Sequence, residues 1–315
     1  MAKPRLLITG STGFVGSWTI RHWREHHPGV ELWATSERPR PAGFQADHYH
    51  QLDLCDARAV RLFMDECRPD RVIHLAGLIS SDDLTQLLAI NVVGTQHLYD
   101  ALSAATCPSD LRIVQISSAA VFGVIRPEEL PISESRNPKP VTPYAVSKVA
   151  QDHLAVAMGL SHGLRIVRAC VFNILGPGQP ESLVPMALIR QLRDVQQGLA
   201  HRLRVGDLTP RRDFIDVRDV AAALDVLLER GRPGESYNVA SGQDTSIQEI
   251  VDAVIALSGV HVPMEVDQGR LRRVEVPCVR ADISKIVEEA GWRPRISLRE
   301  SLEAMWRELL SDSAK

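Results

Sequence analysis

Three glycines near the N-terminus most constrain what this chain can fold into. Gly10, Gly13 and Gly16 follow an apolar run over 6–9 and open an amphipathic stretch. Gly10 permits a tight turn, Gly13 lets the backbone approach an anion at a helix N-terminus, and Gly16 lets the helix lie close to the strand. The spacing therefore predicts a strand, a tight turn and a helix, with a dinucleotide pyrophosphate bound at the turn.

Short apolar segments alternate with amphipathic ones through the first half of the chain. Strands are predicted over 5–9, 30–35, 48–53, 71–76, 111–117 and 164–169. Helices are predicted over 13–26, 56–67, 84–105, 143–162, 183–197, 217–229 and 298–310. Repeated β-then-α order predicts a parallel sheet with helices on both faces. A Gly/Pro-rich cluster over 176–180 interrupts this order, and the remainder is mixed α/β.

The length of 315 residues is too great for one small core and suits two closely joined lobes. We therefore predict an α/β fold: a Rossmann-like, doubly wound parallel sheet with a smaller C-terminal α/β substrate lobe. The predicted dinucleotide-binding domain comprises 1–172 and a return segment of about 214–240. The predicted substrate lobe comprises 173–213 and 241–315.

Composition is that of an ordinary globular protein, with 44% hydrophobic residues and a net charge of −3. We expect no nucleic-acid or membrane partner, because there is no basic excess and the apolar runs are too short to cross a bilayer. The strand predicted from residue 5 leaves no room for a signal peptide, and the five cysteines form no Cys-x-x-Cys pair. We expect a cytoplasmic protein with reduced thiols. The 11 histidines lack metal-ligand spacing, so no metal is expected.

Tyr144 and Lys148 are candidate catalytic residues. They lie four residues apart in a predicted helix, so both side chains share one helix face. An ammonium there is expected to lower the pKa of the phenol, which then exchanges a proton with a carbonyl oxygen. Ser118 ends an apolar strand at the sheet edge where α/β folds bind ligands, and its hydroxyl can orient that carbonyl. The absence of Gly-x-Ser-x-Gly argues against a hydrolase, and the set indicates a carbonyl/alcohol oxidoreductase.

The end of the second predicted strand bears on which dinucleotide binds. Thr35, Ser36 and Arg38 favour the 2′-phosphate of NADP, whereas Glu37 leaves NAD open. Asp53 suits a hydrogen bond to the adenine amino group. The candidate cofactor-binding residues are Gly10, Thr12, Gly13, Phe14, Val15, Gly16, Thr35, Ser36, Arg38, Asp53, Leu54, Leu75, Ala76, Gly77, Asn91, Ile116, Tyr144, Lys148 and Val171.

Six motifs together identify a family. They are Thr-Gly-Ser-Thr-Gly-Phe-Val-Gly (9–16), Val-Ile-His-Leu-Ala-Gly (72–77), Asn-Val-Val-Gly-Thr (91–95), Ser-Ser (117–118), Pro-Tyr-Ala-Val-Ser-Lys (143–148) and Tyr-Asn-Val-Ala-Ser-Gly (237–242). On these motifs the chain resembles the extended short-chain dehydrogenases/reductases, the nucleotide-sugar enzymes, nearly from end to end. Within that family the segments over 172–179, 212–217, 270–277 and 291–294 are most similar to the GDP-4-keto-6-deoxy-mannose reductases.

The resemblance implies a nucleotide-diphosphate sugar as substrate, GDP-linked in the nearest group. Asn173 would contact the sugar diphosphate, while Arg212 and Arg272 would bind its phosphates as bidentate donors. The implied substrate-binding residues are Ser118, Ala119, Asn173, Val184, Arg212, Arg272 and Glu275. The resemblance also implies a homodimer in which helices 84–105 and 143–162 form a four-helix bundle with their copies.

Two departures from the family pattern carry information. Sugar 4,6-dehydratases place an acidic pair after the catalytic hydroxyl residue, whereas this chain has Ala119 and Ala120. Alanine moves no protons, so dehydratase chemistry is not expected. Phe122 stands where the family has tyrosine, which removes a hydroxyl expected near the substrate.

Three functional hypotheses follow. The first is an NADPH-dependent 4-ketoreductase acting on a GDP-linked 4-keto-6-deoxy sugar, with Tyr144 as general acid. The second is a nucleotide-sugar 4-epimerase that oxidises and re-reduces C4 with tightly bound NAD. The third is a non-catalytic dinucleotide-binding protein, against which the intact set of Ser118, Tyr144 and Lys148 argues.

Overall fold

A computed structural model describes residues 3–260, 262–270 and 276–312. The described strands are β1 (Arg5–Thr9), β2 (Glu31–Ser36), β3 (His48–Gln51), β4 (Arg71–His74), β5 (Arg112–Ser118), β6 (Arg165–Val171), β7 (Asn173–Leu175), β8 (Leu203–Val205), β9 (Arg211–Asp216), β10 (Ser236–Val239), β11 (Asp244–Ser246), β12 (Met264–Val266) and β13 (Cys278–Val279). The described α-helices are α1 (Phe14–His26), α2 (Ala57–Cys67), α3 (Leu84–Leu88), α4 (Gly94–Ala104), α5 (Pro143–His162), α6 (Val184–Gln196), α7 (Val217–Arg230), α8 (Ile247–Ser258) and α9 (Leu298–Asp312).

Seven strands form one parallel sheet in the order β10-β6-β5-β4-β1-β2-β3. The chain builds outward from β1 to β3, then returns to the other side of β1 at β4. This reversal creates a crevice beyond the carboxyl ends of β1 and β4, where open α/β sheets bind their ligands. The predicted doubly wound, Rossmann-like sheet is confirmed.

The sheet is buried on both faces because successive strand residues point to opposite sides. In β1, Leu6 and Ile8 join an apolar core with residues of α1 and α7, including Trp23. Leu7, between them, joins a second core with residues of α2, α4 and α5, including Phe63. These two cores flank the sheet.

The C-terminal part of the chain forms a third apolar core. It combines residues of α6, α8 and α9 with Leu203 and Val205 of β8, while β12 pairs with β8 and is exposed. A second small sheet places β9 between β11 and β13, with β7 also paired to β9. From β9 the chain continues into α7 and β10 of the main sheet. The domain boundaries given above stay a prediction.

Two helices position the site. α5 begins where the Thr142 hydroxyl accepts the Ala145 N–H at 3.1 Å and ends at Gly163 with φ +70°. The helix predicted over 84–105 is present as α3 and α4 joined by a π-helical turn, Ala89–Val93. No helix among the described residues is long and apolar enough to span a membrane.

Candidate active site

The glycine turn connects β1 to α1 with no room for side chains. Gly10 has φ +64°, and a Cβ there would lie 2.6 Å from the Ala76 nitrogen. A Cβ at Gly16 would overlap the Gly10 carbonyl oxygen. Gly13 is exposed at the start of α1, where no described side chain caps the helix. The first N–H groups of α1 are therefore available to a bound anion, as the sequence predicts.

The end of β2 is tied to this turn by hydrogen bonds. The Ser11 N–H donates to the Thr35 carbonyl oxygen at 3.0 Å, and the hydroxyls of Thr12 and Ser36 lie 2.7 Å apart. The Arg38 N–H donates to the Ser36 hydroxyl at 3.2 Å. The side chains of Arg38 and its neighbour Glu37 are exposed. Groups favouring a 2′-phosphate therefore cluster beside the glycine turn, with one carboxylate among them.

The loop after β4 is held by side chains from two other elements. The N–H groups of Leu75 and Ala76 each donate to the Thr9 hydroxyl at 3.2 Å. The Asn91 amide accepts the Leu78 N–H at 2.7 Å and donates to the Leu78 carbonyl at 3.0 Å. The buried Asn91 thus fixes the backbone of a loop predicted to line the cofactor site, a role that spacing did not reveal.

Three further cofactor candidates lie at or just after the carboxyl ends of strands of the main sheet. Asp53 is exposed and accepts the Cys55 N–H at 2.8 Å, while Leu54 is buried against Gly94. Val171, at the end of β6, is buried.

Ser118 and Tyr144 meet at the carboxyl end of β5. A hydrogen bond between their side chains lowers the pKa of the Tyr144 phenol, but burial has the larger effect and raises that pKa above its usual value. The sequence predicts instead that Lys148 lowers this pKa. The net shift is in the opposite direction, because the effect of burial on this pKa is larger than that of the hydrogen bond. Tyr144 therefore carries its proton throughout the neutral pH range.

Lys148 lies buried one turn further along α5. Its ammonium donates to the Ile116 carbonyl oxygen at 2.8 Å and to the Gln151 side-chain oxygen. Burial lowers the pKa of Lys148 to about 8, while the negative charge of Asp152 opposes that shift. The group is thus protonated below about pH 8.

A buried hydrogen-bond chain links Lys148 to the glycine turn. The Gln151 amide donates to the Thr95 hydroxyl at 2.8 Å, which lies 2.9 Å from His74 Nε2. His74 Nδ1 in turn lies 2.7 Å from the Thr9 hydroxyl. Burial and the charge of Lys148 lower the pKa of His74 to about 3, so the ring is neutral. His74 is therefore a buried core residue with hydrogen-bond partners at both ring nitrogens.

Gln151 and Asp152 were not singled out from the sequence. Asp152 accepts the Ser117 hydroxyl at 2.5 Å and the Gln115 amide at 3.0 Å. Gln151 lies three and Asp152 four positions after Lys148, so they share its helix face, and this spacing could have indicated them from the sequence.

A cavity of about 420 Å³ opens in the C-terminal part of the chain. Its lining includes Asn173, Val184 and Arg212, which the structure brings together as the resemblance implies. Asn173 donates to the Asp213 carbonyl oxygen at 3.1 Å, and buried Arg212 donates to the Val276 carbonyl oxygen at 2.6 Å. The polar lining also includes residues that the sequence did not single out, Gln179, Ser182, Arg204 and Asp207. Arg272 and Glu275 lie outside the described residues.

The residues that depart from the family pattern have distinct environments. The Ala120 N–H donates to the Ser118 hydroxyl at 3.2 Å, so Ala119 and Ala120 sit in a tight turn at the site, both partly exposed. Phe122 is buried in an apolar cluster, its ring centroid 6.3 Å from that of Phe172. The phenyl ring therefore packs in a core.

Comparison with known proteins adds independent findings. A family model described as GDP-mannose 4,6 dehydratase matches residues 7–305. The chain is 36% identical to a GDP-6-deoxy-D-mannose reductase of Pseudomonas aeruginosa, over 96% of this chain and 95% of that relative. It is 28% identical to a GDP-6-deoxy-D-talose 4-dehydrogenase of Aggregatibacter actinomycetemcomitans, over 97% of this chain and 98% of that relative. A solved structure of RMD from Pseudomonas aeruginosa complexed with NADPH matches with a TM-score of 0.87 and 35% identity, over 98% of this chain and 99% of that one.

Proposed function

Because the chain belongs to the GDP-mannose 4,6 dehydratase family of extended short-chain dehydrogenases/reductases, we propose that it is an NADPH-dependent reductase of a GDP-linked 4-keto-6-deoxyhexose. One observation carries this proposal. Tyr144 and Ser118 are hydrogen-bonded beside the buried Lys148, while Ala119 and Ala120 follow Ser118. The set suits proton transfer at one carbonyl and supplies no acid–base pair for elimination beside it.

The residues at the glycine turn fit a dinucleotide, with NADP preferred and NAD open. Support comes from the exposed Gly13 at the uncapped start of α1, from the Thr12 and Ser36 hydroxyls beside exposed Arg38, and from the NADPH complex of a similar structure. When bound, the cofactor supplies a hydride to C4 of the sugar.

The chain's own residues handle the proton. Tyr144 would donate its phenolic proton to the C4 oxygen, since its raised pKa keeps it protonated at neutral pH. Ser118 would donate a hydrogen bond that orients the same oxygen. The positive charge of Lys148 would stabilise the phenolate left behind. Among the described residues, the Lys148 ammonium donates two of its three hydrogens, to Ile116 and Gln151. The third would be available to a ribose hydroxyl of the bound cofactor.

The cavity lined by Asn173 and Arg212 would hold the nucleoside diphosphate. The guanidinium suits phosphate oxygens. Gln179 is buried, and its side-chain oxygen has no hydrogen-bond partner among the described residues. A buried acceptor at the wall of the cavity can take a hydrogen bond from an N–H group of the base, which guanine, uracil and thymine all carry.

The proposal extends to a homodimer. On α5 the exposed positions Val146, His153, Ala157 and Leu160 recur along one helix face, and Leu160 is 85% exposed. A stripe containing two large apolar residues suits burial against a second copy. A bundle of α4 and α5 with their copies would cover it.

Replacing the phenol tests the proposal. Tyr144→Phe is expected to lower kcat for NADPH-dependent reduction by about 10²–10⁴, the usual range for general acid catalysis. NADPH affinity, measured by fluorescence titration, should stay within about twofold of wild type, because the phenol is not the main cofactor contact. Near-wild-type turnover of Tyr144→Phe would refute the assigned mechanism. Tightly held NAD, with sugar epimers interconverting and no net NADPH consumption, would replace it with 4-epimerase chemistry.

A further inference from the structure

A cluster of two imidazoles and one carboxylate lies away from the proposed active site. His22, about one turn before the end of α1, and His27, just past that end, both contact Asp225 of α7. The Nε2 atoms of His22 and His27 lie 2.9 and 2.7 Å from the same oxygen, Asp225 Oδ2. All three atoms lie within 4.8 Å of one another. The convergence arises because His27 leaves the helix with φ −132° and ψ 61°.

Neighbouring rings fix the orientation of both imidazoles. The His22 ring stacks on His26 with centroids 4.3 Å apart, and the His27 ring stacks on Trp23 at 4.1 Å. Trp23 is only 1% exposed, so it anchors His27 in the core. Preorganised ligands lose little conformational entropy when an ion binds.

We propose that His22, His27 and Asp225 form a binding site for a divalent transition-metal ion, with Zn²⁺ as its best match. Imidazole nitrogen and carboxylate oxygen bind Zn²⁺ at about 2.0–2.2 Å in a tetrahedral arrangement, which places neighbouring ligand atoms roughly 3.4 Å apart. The observed nitrogen–oxygen distances of 2.7 and 2.9 Å would have to lengthen by about half an ångström or slightly more to admit the ion, a shift within reach of side-chain rotation. Two nitrogens and one oxygen suit Zn²⁺ and its neighbours better than Mg²⁺ or Ca²⁺, which prefer oxygen ligands.

The site can admit an ion and complete its coordination. The side chains of His22, Asp225 and His27 are 15%, 14% and 33% exposed, so water can fill the remaining coordination positions. Without an ion, both Nε2 atoms donate to the Asp225 carboxylate; a bound ion would displace these protons and leave each imidazole protonated on Nδ1.

The ion would join α1 to α7 on one face of the sheet. The 13 residues of α1 span about 20 Å, so the site is remote from the glycine turn at the other end of that helix. Its effect would be on stability, since an ion that binds only the folded state stabilises it by mass action. The sequence expectation of no metal rested on short ligand spacing, which does not reveal a partner 198 residues away.

The test titrates Zn²⁺ into tag-free, chelator-treated protein by calorimetry and thermal denaturation. Wild type is expected to bind one equivalent, and its Tm to rise by about 5 °C at a hundredfold excess over Kd. His27→Gln and Asp225→Asn should each weaken binding more than about tenfold. The matched control is His48→Gln. His48 lies 2.7 Å from one carboxylate, that of Glu31, and has no part in the proposed site, so this variant should bind Zn²⁺ with wild-type affinity.

Two results would overturn the proposal: wild type that binds no stoichiometric Zn²⁺, or both variants binding with wild-type affinity. Far-UV circular dichroism of His27→Gln and Asp225→Asn verifies that each is folded. Co²⁺ added to wild type should give visible ligand-field bands that His27→Gln lacks. Equal bands in both proteins would assign the ion to other side chains.

Discussion

The environment of Lys148 determines how the site responds to pH. The ammonium is buried and donates to a backbone carbonyl and to Gln151. Because burial lowers its pKa to about 8, the charge is present below that pH and is lost as the pH rises through it. Tyr144 keeps its proton well beyond this range, since burial raises its pKa. Lys148, and not the phenol, should therefore set the alkaline limit of reduction.

We expect kcat for reduction to be level between about pH 6 and 7.5 and to fall above about pH 8, as Lys148 loses its charge. Gln151→Leu removes an acceptor that favours the charged ammonium, so the fall should begin roughly one pH unit lower. Gln45→Leu, at an exposed position, is the control and should keep the wild-type profile. Identical profiles for wild type and Gln151→Leu, measured by NADPH absorbance, would contradict this assignment.

Gly10 shows how one backbone position controls the cofactor turn. Its φ of +64° and the 2.6 Å approach of a Cβ to the Ala76 nitrogen both exclude a side chain. Gly10→Ala is expected to lower the free energy of unfolding by about 2–4 kcal/mol and to weaken NADPH binding more than tenfold. Gly29→Ala, where a Cβ meets no atom within 4 Å, should change stability by less than about 0.5 kcal/mol. Urea denaturation checks both, and equal stability of the two variants would disprove the steric argument.

At the scale of elements, α5 both carries the proposed catalytic residues Tyr144 and Lys148 and presents an exposed apolar stripe. If that stripe pairs with a second copy, the double variant Val146→Asp, Leu160→Asp should be a monomer, because burying two carboxylates at a helix interface is unfavourable. The control is Leu62→Asp. Leu62 is 61% exposed but lies on α2, outside the proposed interface, so this variant should remain a dimer. Light scattering coupled to size exclusion measures the mass. A wild-type protein with the mass of one chain would remove the dimer from the account.

Elements fixed by local chemistry could be predicted from the sequence. The start of α5 follows from Thr142 and Pro143, and its end from Gly163, all within the segment itself. The π-helical turn Ala89–Val93 follows no local period and was not predicted. Short strands such as β7 and β13 exist only through pairing with β9, far away in the sequence, and no periodicity reveals such partners.

Within the site, too, features set by local sequence could be predicted and those set by distant partners could not. Tyr144 and Lys148 share a helix face, so their association could be read from spacing. Of the two acceptors of the ammonium, Gln151 lies three residues after Lys148 on the same helix and could be found in the same way. Ile116 could not, because it belongs to β5 and the fold alone brings its carbonyl to the ammonium. Burial raises the pKa of Tyr144 more than the hydrogen bond from Ser118 lowers it, and the extent of burial is known only from the folded structure.

Over the whole molecule, the proposed reaction depends on joining two parts of the chain. Val171 ends β6 in the cofactor sheet, and Asn173, two residues later, begins β7 and lines the substrate cavity. This short connection places the cavity beside the carboxyl edge that carries Ser118 and Tyr144. A sugar attached to a diphosphate held by Arg212 would then reach the phenol.

Stoichiometry of cofactor use tests the central claim most directly. NADPH oxidation is followed at 340 nm with GDP-4-keto-6-deoxymannose, and the sugar product is identified by chromatography and NMR. We expect one NADPH to be consumed per 4-hydroxy sugar formed, and UDP- and dTDP-linked 4-keto sugars to be reduced far more slowly. Cofactor binding without NADPH consumption, or product formed without net cofactor turnover, would contradict it.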